Sequence, residues 1–129
     1  MKRIAYAIMT ALALTACQES LEERCAREAE EYTKKKCPAR IDQNTVIDSL
    51  VFERATHTMH YYYTLTGTAD DPKTFTMFNA ENVLLTQLKN STMIKTYKDA
   101  GYSFAYTYHS KKEKGRILFE KTFTKEDYK

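Results

Sequence analysis

Three histidines, three cysteines and a few adjacent carboxylates are the residues of this chain whose types could support chemistry. His57 and His60 lie three apart in a run of β formers, where side chains alternate between faces, so the two cannot grip one metal together. His109 stands near a turn, and no Cys-x-x-Cys or other zinc spacing accompanies it. No metal or cofactor site is therefore expected. The Gly-x-Ser-x-Gly elbow of an activated serine is absent. Asp70 and Asp71 precede Pro72, in a turn where aspartate is favoured for bonding its own backbone. The 3 glycines are isolated and cannot build a phosphate-cradling loop. With no catalytic set, the chain is read as not an enzyme.

Cys17 is the cysteine with the clearest context. Lys2 and Arg3 open the chain, and residues 4–16 form an uncharged apolar run, the pattern of an export signal. A membrane-spanning helix needs roughly 20 apolar residues, so this run is too short to span and reads as a processing segment. It closes on Leu14-Thr15-Ala16-Cys17, which resembles the lipobox of bacterial lipoproteins.

The resemblance implies a diacylglyceryl group on the Cys17 thiol, cleavage before that residue and acylation of the new amino terminus. Residues 1–16 are then a leader, and residues 17–129 one lipid-anchored domain. Each buried methylene contributes about 0.8 kcal/mol; one acyl chain binds marginally, and two or more make a lasting anchor. Gln18 after the cysteine implies, by that family's sorting pattern, the outer rather than the inner membrane. The alternative is ordinary cleavage after Ala11-Leu12-Ala13, leaving Cys17 a thiol.

Two of the 20 basic residues, Lys2 and Arg3, belong to the leader, leaving 18 against 17 acids in the mature chain. Such balance gives no electrostatic case for nucleic acid. The remaining thiols, Cys25 and Cys37, would meet an oxidising compartment that favours pairing. On one uninterrupted helix they stand about 18 Å apart, against the ~7 Å between α-carbons that a disulfide tolerates. A pair needs the helix to end early; buried or intermolecular thiols are the alternatives.

The elements that must position these residues follow from periodicity. Residues 20–36 predict a helix with an apolar stripe at Leu21, Cys25, Ala29 and Tyr32, acids early and lysines late. Only two or three residues separate it from Cys17, so the domain should ride close to the bilayer. Residues 45–54 and 59–65 predict a hairpin, with Met59, Tyr61, Tyr63 and Leu65 on one face and His60, Tyr62 and Thr64 on the other. Residues 67–73 read as a turn and 74–78 as a short extended piece. Asn79 is expected to cap a helix from Ala80, broken near Asn90 with Ser91 as a cap, resuming through Tyr97 and stopping at Gly101. Residues 102–108 alternate aromatic with small, and residues 116–123 return as their partner strand.

The expected fold is α+β, in the order α-β-β-α-β-β, a four-stranded antiparallel sheet carrying its helices on one face. The function that fits is a non-enzymatic module binding a protein partner at the envelope, as an accessory, inhibitor or immunity-type factor does. A small-molecule or glycan binder using exposed tyrosines is the alternative. Lys111, Lys112, Lys114 and Arg116 form the sharpest basic cluster, read as a charged hairpin tip that blocks edge pairing rather than as a lipid contact.

Overall fold

The computed structural model describes residues 19–129. The Cys17 assignment, the leader and the lipobox lie outside them. Helix α1, Leu21–Lys36, starts on the Ser20 hydroxyl, which accepts from the Glu23 amide at 3.1 Å. Cys25 and Ala29 on its stripe are buried, whereas Tyr32 is half exposed.

The chain then forms β1, Ala39–Asp42, and β2, Thr45–Glu53, joined by a turn in which Asp42 Oδ1 accepts from the Asn44 amide at 2.9 Å. A short helical turn, Arg54–Thr56, and His57 at φ 50° lead into β3, Thr58–Leu65. Helices α2, Pro72–Met77, α3, Ala80–Asn90, and α4, Lys95–Asp99, follow. Strands β4, Ser103–Ser110, and β5, Ile117–Phe123, and a last turn of helix, α5, Lys125–Tyr128, complete the fold.

The class is α+β, with a five-stranded mixed sheet in the order β1-β2-β3-β4-β5. The expected four antiparallel strands are corrected in two respects. The stretch after Pro38, which carries little apolar patterning, supplies β1 through its Asp-Gln-Asn turn. The two hairpins meet in parallel, Thr58 beside Ser103 and Leu65 beside Ser110. Residues 66–102 carry the chain back to the end where β3 began, so β4 leaves in the same direction; a crossover of this length permits parallel pairing.

Other local differences have simple causes. The segment expected to be extended at residues 74–78 lies in α2 and its cap. Asp71 accepts from the Lys73 amide and Pro72 occupies the first helical position, a start signal that outweighs the β character of Thr74 and Phe75. Asn79 does precede α3, but at φ 49° and without a side-chain bond. Ser91 ends α3 rather than capping the next helix. Gly101, at φ 80°, closes α4 as expected: Tyr102 N donates to Tyr97 O and Gly101 N to Lys98 O.

All helices that contribute to the core pack on one face of the sheet. Cys25 and Ala29 of α1, Leu84 and Leu88 of α3 and Tyr97 of α4 meet Met59, Phe104, Tyr106 and Phe123 of the strands. Helix α1 runs unbroken, so Cys25 lies in the core while Cys37 caps the far end, and both are free thiols. The early helix end that a pair requires does not occur. Burial pushes the Cys25 thiol up to about 12, and burial with the Asp48 carboxylate raises that of Cys37. Protonated thiols of this kind are poor nucleophiles.

Candidate docking groove

On the open face of the sheet, His60 Nε2 lies 2.7 Å from Thr107 Oγ1, and Glu53 Oε2 lies 3.3 Å from His60 Nδ1. That is the order carboxylate, imidazole, hydroxyl of an activated nucleophile. Three facts remove the chemistry. Thr107 is 1 % exposed, its hydroxyl proton goes to Glu120 Oε2 at 2.6 Å, and it lies mid-strand, paired on both sides, with no spare backbone donors to receive an oxyanion. Thr107 accepts from His60, so Nε2 carries the ring proton. Nδ1 is shared between the Glu53 carboxylate and the Tyr62 hydroxyl at 3.1 Å. This is a polar network that satisfies a bare sheet face.

The other expected chemical residues are dispersed. His57 precedes β3 in a left-handed conformation, not on the strand as expected; it is bonded to Glu22 and stacked on Tyr102 at 4.9 Å, away from His60. His109 reaches only the Tyr62 ring, 6.4 Å away. No cluster of three potential metal ligands occurs among the described residues. Asp70 is a latch: its Oδ2 accepts from the Lys111 and Lys112 amides at 3.1 and 3.0 Å, tying the segment after β3 to the β4–β5 loop. Burial works to raise its pKa, but the Ser110 hydroxyl and those amides outweigh burial and hold the carboxyl below its ordinary range.

The concavity that could receive something lies on the helix side. α1 covers β2; between α2 and α3 and the strand ends near Ile41 and Leu65 a groove of about 380 Å³ remains open. Phe75, Phe78, Val83 and Leu84 wall it on one side, Ile41, Thr45 and Leu65 on the other, and Tyr63, Tyr106 and Tyr108 lie at its base. Phe78 is 66 % exposed, and Ile41 and Val83 are also exposed, so the rim is apolar and uncovered.

The parallel register makes the base. Tyr61 pairs with Tyr106 and Tyr63 with Tyr108, and their rings stack at 5.1 and 4.5 Å with planes within 11°. Each ring thus has one face against another ring, and the hydroxyls are left for a visitor. These four hydroxyls have no hydrogen-bond partner among the described residues, and none is sealed from solvent. Burial pushes Tyr61 and Tyr108 up to about 12 and Tyr63 and Tyr106 still higher, so all four are neutral donors at any cellular pH. A mainly apolar slot with fixed neutral donors, and with the Asp42 carboxylate in its lining, suits a segment that bears carbonyl acceptors and no negative charge. The aromatic alternation of residues 102–108 signalled this base. The walls were not legible, because they depend on where α2 and α3 settle over the strands.

A family model matches residues 20–119. The chain belongs to the family described as Domain of unknown function (DUF8479). No curated protein matches this DUF8479 chain. Two solved structures resemble it. One is a candidate secreted protein from Pseudomonas aeruginosa, at TM-score 0.67 and 10 % identity, over 87 % of this chain and 100 % of that one. The other is the type II secretion system pilotin AspS from Vibrio cholerae, at TM-score 0.61 and 15 % identity, over 89 % and 98 %. At these identities the DUF8479 chain shares their fold, and the likeness extends no further by itself.

Proposed function

We propose that the chain is a bacterial lipoprotein cut before Cys17 and acylated there, and that its domain, residues 17–129, is a non-enzymatic protein-interaction module of the cell envelope, an accessory of the pilotin kind. The groove carries this reading: it is apolar, its rim is uncovered, and its base presents neutral donors without partners. The leader and lipobox supply the address, and Gln18 favours the outer membrane. The secreted and pilotin descriptions of the two structural neighbours point to the same compartment. The Glu53–His60–Thr107 set offers no accessible nucleophile, in keeping with a binding role.

Two measurements test the reading separately. Labelling cells with a fatty-acid analogue should mark wild type and not Cys17→Ala, and the variant should leave the membrane fraction; equal retention of both refutes the anchor. A photoactivatable residue at position 78 or 83 should crosslink one protein partner in living cells, whereas one at position 112 should not. Identical crosslinks from all three positions refute the groove.

A further inference from the structure

A second concavity, of about 420 Å³, is basic: Lys89, Lys95, Lys98, Lys125 and Lys129 surround it, and Asp99 is the one acidic side chain that lines it. Asp99 is held by Lys95 at 2.6 Å, and Lys129 is paired with Glu126 at 2.8 Å. Lys98 Nζ donates to Leu88 O and Lys89 O at 2.8 and 3.1 Å, which fixes its charge in the wall at the carboxyl end of α3. Lys89 and Lys125 have no acidic partner among the described residues, so the pocket keeps an excess of positive charge.

Its position in the fold is the second observation. The Tyr97 hydroxyl, on α4 between Lys95 and Lys98, donates to Glu28 Oε2 at 2.6 Å, and Arg24 lies over the same ring at 5.9 Å. Tyr128 of α5 donates to Tyr102 O and lies close to Lys98 O. The pocket therefore lies on the same end of the sheet as the first half of α1, to which α4 is joined through Tyr97. Two residues, Gln18 and Glu19, separate Ser20 from Cys17, so the three steps between them reach at most about 11 Å. That is close to the distance over which a charged surface acts through physiological salt.

We propose that this lysine pocket contacts anionic phospholipid headgroups, orienting the domain on the membrane to which it is tethered. The orientation rests on the lipid anchor proposed above; the pocket's chemistry does not. The cluster Lys111, Lys112, Lys114 and Arg116 lies at the opposite pole, beyond the end of β4, and serves as the internal control.

The fold lies within residues 19–129, so the mature chain from Gln18, made without lipid, is the material to test. It should sediment with vesicles of phosphatidylcholine containing phosphatidylglycerol and not with phosphatidylcholine alone. Substituting Lys89, Lys125 and Lys129 together by Gln should weaken binding about 100-fold, at roughly fivefold for each lysine neutralised. The same change at Lys111, Lys112 and Lys114 should leave it within about twofold, since that pole faces away from the surface. Equal binding to neutral vesicles, equal loss in both triple variants, or no binding to anionic vesicles overturns the proposal. So does displacement by millimolar inorganic phosphate at matched ionic strength, which assigns the pocket to a free anion. No protein acyl group enters the assay, so its failure leaves the fatty-acid labelling result standing.

Discussion

At the residue scale, the tyrosines divide by what their hydroxyls do. Tyr97 donates to Glu28, so Tyr97→Phe should cost about 1–2 kcal/mol in urea denaturation. Tyr63 and Tyr108 have unpartnered hydroxyls, and removing either should change stability by less than about 0.5 kcal/mol while weakening whatever fills the groove. A loss from Tyr63→Phe as large as that from Tyr97→Phe would mean that its hydroxyl is already engaged. Asp70 gives a prediction in pH. Its folded pKa lies below the ordinary 3.8, so its stabilisation is complete above that value and is lost as pH falls through the folded one. Asp70→Asn should lower stability at neutral pH by about 1–3 kcal/mol and flatten the acid limb of the stability curve below pH 4. An unchanged limb would show that the latch carries no linked proton.

At the element scale, the join between α1 and the sheet depends on one hydroxyl. Thr33 Oγ1 donates to Leu50 O at 2.8 Å and accepts from Leu50 N at 2.9 Å, satisfying the edge of β2 beyond the reach of β1. Thr33→Val keeps the shape and orphans both backbone groups, a cost of about 1–3 kcal/mol, with faster hydrogen exchange at the Leu50 amide; Thr33→Ser should restore most of it. The individual elements were largely legible. The α1 stripe, the two faces of β3, the alternation of β4 and the glycine stop at Gly101 all followed from periodicity and turn chemistry. The elements that were missed, β1, α2 and α5, are short, and in such segments a single cap or turn residue outweighs propensity.

At the scale of the whole molecule, the two concavities divide the surface. The basic pocket lies at the pole of the α1 amino terminus, and the groove opens toward the far ends of β1 and β3, next to Ile41, Thr45 and Leu65. With the anchor proposed at Cys17, the apolar rim would lie at the end of the domain away from the tether. Phe78→Glu at this exposed rim should leave the unfolding free energy within about 0.5 kcal/mol yet reduce partner crosslinking from position 83 by at least about 30-fold, the loss of one interface hot spot. Unimpaired crosslinking would move the partner to another face.

Sequence alone determined the α+β class, the positions of the main helices and strands and which strand residues share a face, because these depend on spacing along the chain. The lipoprotein address proposed above likewise rests on sequence alone, on Leu14-Thr15-Ala16-Cys17. The parallel junction of β3 with β4, the tyrosine base it stacks, the meeting of Glu53, His60 and Thr107 and the assembly of five lysines around one pocket were decided only by tertiary structure. Each depends on the crossover of residues 66–102 returning over one face of the sheet, a long-range packing event that leaves no periodic trace in the residues it brings together.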